Sequence, residues 1–265
     1  MNLHRPGISK WISFLLISCV LLLLIKCNSS KLPAGATTSA KPDHQLWTNL
    51  LQKHVNSAGF VDYGNFLKDN VELDSYLQAL SAGIPDSQNW TREEQLAYWI
   101  NAYNAFTVKL ILENYPLKSI KDLNSPISVP FLNSIWDKKF INLGGKKYSL
   151  NNIEHNILRE KFQEPRIHFA INCASVSCPK LRNEAYIASK LNQQLEDQAE
   201  TFINDPSKNK LLPSNPKLSK IFSWFGADFE KQGNLRNYVN RYADIKVKAD
   251  ANIDYMEYDW NLNDQ

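Results

Sequence analysis

One segment constrains the fold of this 265-residue chain more than any other. Between Thr91 and Pro116, residues such as Leu96, Trp99, Ile100, Ala102, Phe106, Val108, Leu110 and Ile111 put apolar side chains on nearly every face of a helix. A helix that is apolar all round must be covered on all sides, so the rest of the domain is expected to wrap around it. Thr91, with Glu94 three residues later, reads as the capping box that starts this helix. Pro116 stops it near Tyr115. Asn101 and Asn104 lie within it, and buried amides must find hydrogen-bond partners. They are expected either to clamp the backbone of a neighbouring loop or to line a site and orient an imidazole or a substrate amide.

The other segments are shorter. Helical spacing covers 44–57, 71–82, 151–162, 186–204 and 234–243. Gly144-Gly145 between Phe140–Leu143 and Lys146–Ser149 is the two-residue turn signature of a β-hairpin. Phe60–Tyr63, Arg166–Cys173, Lys217–Phe222 and Ile253–Tyr258 read as extended. Helices and strands mix without βαβ alternation, which predicts a single α+β domain over 43–265. Its central buried helix would pack against a small mixed or antiparallel sheet.

Arg5 and Lys10 precede an apolar run from Trp11 to Ile25. The run is short for a bilayer span, which needs roughly 20 residues, and fits an export signal. Cys27 directly after it resembles the lipidated residue of a bacterial lipoprotein, although Lys26 stands where such signals carry a small residue. Residues 1–27 are therefore expected to be a signal, Cys27 a lipidation site and 28–42 a flexible tether. The expected place is the cell envelope, anchored to the membrane through the N-terminus. A single N-terminal anchor and a secreted form are the alternatives. Without the first 26 residues, basic residues fall from 30 to 27 against 27 acids. No basic patch remains for nucleic acid. The partner is expected to be an envelope substrate or protein.

Two features carry candidate chemistry. On 151–162, His155 and Arg159 are four apart and share a face, an arrangement suited to an anion or carboxylate. From Arg166 to Pro179 an apparent strand runs into a loop of small residues and thiols, a good platform for an exposed nucleophile. Cys173 and Cys178 are the two cysteines of the folded part. They are open to three readings: a disulfide, a catalytic thiol with its neighbour, or two plain thiols. On a regular strand His168 and Cys173 would face opposite sides, about 16 Å apart. His155 is then the better base for Cys173. The same separation and the spacing of the cysteines argue against a zinc site, so neither metal nor cofactor is expected. The lack of Cys-x-x-Cys disfavours a thiol–disulfide role.

Several long motifs stand in one order: Glu94-Gln95-Leu96-Ala97-Tyr98-Trp99-Ile100-Asn101-Ala102-Tyr103-Asn104-Ala105, Ile153–Arg159, Arg166–Pro179, Leu218–Trp224 with Asp228-Phe229, and Tyr258–Asn263. In these the chain resembles the family called domain of unknown function 547, found in bacterial envelope proteins and as a module in plant and animal proteins. The resemblance covers most of 44–263. Its matching positions include Asn101, Asn104, His155, Arg159, His168, Cys173 and Cys178. Ala174 departs from it, because glycine is usual there. The family carries no established activity, so the resemblance implies one module without a mechanism.

The residues themselves suggest a thiol-dependent acyl transferase or hydrolase acting on an amide or ester. Cys173 would be the nucleophile and His155 the base. Asn101 or Asn104 would orient that base or donate to the oxyanion. Arg159, His168, Ser177 and Cys178 would contact substrate. The alternative is a non-catalytic module with a Cys173–Cys178 staple, whose aromatic surface of Trp224, Tyr258 and Trp260 binds a partner or glycan.

Overall fold

A computed structural model describes residues 40–124, 134–231 and 233–265. The expected signal, Cys27 and all of the tether before residue 40 lie outside the described residues. Among the described residues no helix is long and apolar enough to cross a membrane.

The long helix forms as its sequence requires. It is α4, Arg92–Leu112, after α1 (Gln45–His54), α2 (Tyr63–Phe66) and α3 (Asn70–Ala82). The Thr91 hydroxyl accepts the Glu94 N–H, and the Glu94 carboxylate accepts the Thr91 N–H at 2.8 Å. Two otherwise orphaned donors are thus satisfied. Replacing Thr91 by alanine is expected to cost about 1 kcal/mol and to lower the melting temperature by about 2–4 °C, read by thermal unfolding. Sixteen of the 21 residues of α4 are buried, including Asn101 and Asn104. Trp47, Leu51, Tyr63, Leu73 and Tyr76 belong to the core that surrounds it.

After α4 come β1 (Ile141–Leu143) and β2 (Lys146–Tyr148), paired antiparallel with Leu143 opposite Lys146. Gly144 and Gly145 both take positive φ, 54° and 75°, as a two-residue hairpin turn of this hand demands. A side chain on Gly144 would also strike Ile84, at 2.5 Å from its methyl. The next helix, Asn152–Phe162, is wound as a π-helix and ends at Gln163, whose φ is 49°. The single-turn helix α5 (Ile167–Ala170) follows, then α6 (Leu191–Asn204), β3 (Lys217–Leu218), α7 (Lys220–Trp224), α8 (Gly226–Phe229), α9 (Leu235–Tyr242) and β4 (Asp254–Tyr255). β3 and β4 pair parallel over two residues. The α+β class stands, with two separate two-stranded ladders instead of one sheet.

Arg166–Cys173 is not a strand. Its first half is the α5 turn, closed by the Ile171 N–H on the Ile167 carbonyl at 3.0 Å. Helical spacing gives this turn three separate commitments. Ile167 and Ala170 enter the core around α4. Phe169 enters a second core with Phe202, Phe222, Phe229 and Tyr238, its ring 5.1 Å from that of Phe202. His168 is left facing a third direction, where it stacks on Phe225 at 4.0 Å.

Candidate active site

A cavity of about 190 Å³ opens between the π-helix, the Cys173–Cys178 loop and the C-terminal segment. Chemistry-bearing side chains line it from four places in the sequence. They are Tyr103 from α4, Glu154 and His155 from the π-helix, His168 from α5, and the two cysteines. The mouth is aromatic. Trp224 stacks on Trp260 at 5.9 Å, Tyr258 sits 4.8 Å from Trp224 and 4.6 Å from Trp260, and Trp136 meets Trp260 edge-on at 5.6 Å. Trp224 is 48% exposed, a large apolar ring left in contact with water. The aromatic surface expected from Trp224, Tyr258 and Trp260 is thus one wall of this cavity.

Cys173 and Cys178 are joined in a disulfide. Of the three readings open to the pair, this is the one the structure contains, and in it Cys173 holds no thiolate. The loop between them is pinned from outside. Asn104 donates to the Ala170 carbonyl and accepts the Asn172 N–H, both at 2.9 Å. Asn172 in turn accepts the Ala174 N–H at 2.8 Å and donates to the Pro179 carbonyl at 2.7 Å. Ala174 has φ 59°, in the left-handed region that favours glycine. The C-terminal segment closes the loop: Val176 N–H bonds the Asn261 carbonyl at 2.8 Å, and Ser177 N–H the Asp259 carbonyl at 3.1 Å.

Several expected site residues have other work. Asn101 bonds the backbone of Tyr186, donating at 2.8 Å and accepting at 2.9 Å, and does not line the cavity. Both asparagines therefore act as backbone clamps, and neither lines the cavity. Ser177 accepts the Asp259 N–H at 2.8 Å and serves to hold the C-terminal segment. Asp259 itself accepts the Asn261 N–H and does not line the cavity. Arg159 does not wait for a substrate carboxylate, because Asp228 already occupies its Nε at 2.6 Å.

The two histidines exchange roles. Arg159 donates from its guanidinium to His155 Nδ1 at 2.9 Å. A guanidinium has only donors, so Nδ1 must be the unprotonated nitrogen, and Nε2 carries the proton. His155 then presents an N–H and is not a base. Burial and the Arg159 charge both lower its pKa, which keeps it neutral. His168 is the reverse. Its Nε2 lies 2.8 Å from Asp228, an acceptor, so Nε2 bears the proton and Nδ1 the lone pair. The separation of His168 from Cys173 expected on a strand is overturned by the α5 turn, and both line one cavity.

Burial pushes His168 down to about 4, against the opposing pull of Asp228. Asp228 feels burial in the opposite sense, but hydrogen bonds from His168 and Arg159, with their charges, hold its carboxyl well below the usual range. Glu154 is 8% exposed, and burial raises it to about 7 despite the Arg159 charge. Tyr103 donates to Glu154 at 3.4 Å. At neutral pH the cavity thus holds an unprotonated His168 and, in the same lining, a carboxyl poised at its own titration point. Environments that push titratable groups apart in this way mark acid and base pairs.

Sequence reasoning passed over Glu154 and Asp228. The signal for Glu154 was an acid directly beside the inward Ile153 and Ile157. For Asp228 it was a lone acid in an otherwise apolar, aromatic stretch from Ile221 to Phe229.

Residues 87–203 match the model of a family described as a protein of unknown function, DUF547. That span holds α4, the π-helix, α5 and both cysteines, while Asp228, Tyr258 and Trp260 lie beyond it. No curated protein and no solved structure matches the chain.

Proposed function

We propose that the cavity is a thiol-dependent acyl-transfer or hydrolysis site for an amide or ester, in a chain whose residues 87–203 match the model of a family of unknown function, DUF547. The observation that carries the reading is that His168, held from behind by Asp228, lines the same cavity as Cys173 and as Glu154, whose carboxyl is raised to about 7. With the disulfide reduced, His168 Nδ1 takes the Cys173 proton as Sγ attacks the carbonyl carbon. Asp228 keeps the imidazole in the tautomer with a free Nδ1. Glu154 gives its proton to the departing amine or alkoxide, which leaves an acyl thioester on Cys173. Water or an acceptor hydroxyl then attacks, Glu154 recovers a proton from it, and His168 returns the proton to the Cys173 sulfur. Tyr258, whose hydroxyl lies 3.4 Å from Cys173 Sγ, is the donor nearest the developing oxyanion. Burial raises its phenol, so it stays protonated.

The reading sets the site in the cell envelope, tethered through Cys27. The charged start, the apolar run Trp11–Ile25 and Cys27 just beyond it after Lys26 support that placement.

A second reading is supported by the disulfide and the ring wall: a non-catalytic module that binds a glycan or an envelope partner on Trp224, Tyr258 and Trp260. One experiment separates the two. The reduced full chain is given a panel of reporter esters and amides, beside Cys173→Ser, Cys178→Ser and His168→Gln. Turnover is expected to vanish in Cys173→Ser, to persist in Cys178→Ser and to fall roughly 10²–10⁴-fold in His168→Gln. If Cys173→Ser leaves every measured rate unchanged, the acyl-transfer reading fails. Tryptophan quenching by oligosaccharides that is indifferent to Cys173→Ser would then favour the binding module.

A further inference from the structure

We infer that the Cys173–Cys178 bond is a working disulfide that oxidises dithiols entering the aromatic cavity, Cys173 being the sulfur attacked and Cys178 the sulfur that leaves. The inference goes beyond acyl transfer and stands on separate observations.

The two sulfurs are unequal. Cys173 is half-buried at the cavity, whereas Cys178 is 3% exposed. An incoming thiol therefore meets Cys173 first. Donors converge on the other sulfur. The Cys173 N–H reaches Cys178 Sγ at 3.0 Å, and the hydroxyls of Ser175 and Tyr258 each stand 3.3 Å from it. A neutral sulfur in a disulfide gains little from three donors. A thiolate gains much, because hydrogen bonds to a charged acceptor are the strong ones. Exchange is faster when the leaving sulfur is better stabilised as an anion. The cluster is thus suited to the moment at which the bond breaks.

The loop also has anchors that are independent of the bond. Asn104, Asn172 and the C-terminal residues Asp259 and Asn261 hold the loop through backbone hydrogen bonds that do not involve either sulfur. The five-residue separation conceals this function from a search for Cys-x-x-Cys, since what matters is one accessible sulfur and one leaving sulfur supplied with hydrogen-bond donors.

The step balances. A substrate thiolate attacks Cys173 Sγ, the substrate sulfur–Cys173 bond forms, and the Cys173–Cys178 bond breaks with its electron pair going to Cys178. The second thiolate of the same dithiol then attacks the substrate sulfur in the mixed disulfide and expels Cys173. The substrate leaves as a disulfide, two electrons poorer, and its two protons end on Cys173 and Cys178. Trp136, Trp224 and Trp260 around the mouth fit a dithiol carried on an apolar or aromatic body.

The test takes the oxidised full chain at pH 7 with dithiothreitol, quenches in acid, and follows the gain of two hydrogens by mass at Cys173 and Cys178. A linear peptide of residues 171–180, oxidised between the same cysteines, is the control. The protein's pair is expected to reduce at least about tenfold faster than the control. Tyr258→Phe with Ser175→Ala should slow it by roughly 10- to 100-fold while the variant keeps its cavity-side tryptophan fluorescence. With glutathione, the transient adduct should map to Cys173. Reduction no faster than in the peptide, an adduct on Cys178, or a double variant at the wild-type rate each overturns the inference. None of these outcomes touches the ester and amide assay, which is run on protein already reduced.

Discussion

An Asn104→Ala variant is expected to lose about 2–4 kcal/mol of stability and to release the loop that carries Cys173. Asn104 is 2% exposed and bonds two backbone groups on the far side of the core, the Ala170 carbonyl and the Asn172 N–H. Alanine leaves both unpaired in a place water does not reach, and each such group costs about 1–3 kcal/mol. A small void adds to this. The loss is therefore larger than for the exposed cap at Thr91, which water can replace. Asn104→Asp is the informative companion. It keeps an acceptor for Asn172 but turns a carboxylate toward the Ala170 carbonyl, so it should be no more stable than alanine at neutral pH. Urea unfolding gives the magnitude, and hydrogen exchange at the Asn172 amide gives the location. A loss under 1 kcal/mol with that amide still protected would mean that the clamp is dispensable.

The clamp also shows why parts of this molecule are legible in its sequence and others are not. The α4 helix is written in one stretch, with cap, apolar faces and stop together, and the Gly144-Gly145 hairpin is equally local. α5 is not. Ile167, Phe169 and Ile171 alternate as a strand would, and a single turn is too short for a helical period to declare itself. What makes that stretch turn is distant: Asn104 holding its end, and two separate cores claiming Ile167 and Phe169. The consequence reaches the site: a strand here separates His168 from Cys173 and leaves His155 as the base, whereas the turn brings His168 to the cavity.

The same limit applies to charge. That His155 and Arg159 share a face is a matter of spacing, and the two side chains meet at 2.9 Å. That Arg159 donates to His155, and so removes its basic nitrogen, depends on Asp228, which lies 69 residues further along and positions the guanidinium from one turn of α8. The cysteines sit between these cases. Their identity as the two thiols of the folded part was plain from counting, whereas their state depended on how a loop closes.

Asp228→Asn is expected to reduce turnover by the reduced enzyme at pH 7 by roughly 10²–10⁴-fold and to move its whole pH profile toward acid. In the wild type the active form has His168 unprotonated and Glu154 protonated. Activity should rise with pH as His168 loses its proton near 4 and fall again as Glu154 loses its own near 7. Asp228 favours the protonated state of both groups, since a nearby negative charge raises an imidazole and a carboxyl alike. Its removal lowers both limbs. The amide also frees His168 to hold its proton on either nitrogen, so the tautomer with Nδ1 free is no longer enforced. Stability carries the opposite signs in the two groups. His168, held below its ordinary 6.5, contributes stability that is lost as pH falls through 6.5 toward 4, because the unfolded chain takes up the proton first. Glu154, held above its ordinary 4.5, contributes stability that is lost as pH rises through 7. Measuring rate and urea midpoint across pH 4–8 on the same samples therefore distinguishes a catalytic loss from a melted site. A variant within threefold of wild type at pH 7, with both limbs unmoved, would show that Asp228 neither orients His168 nor tunes Glu154. The Asp228–His168 pair would then be a structural contact only.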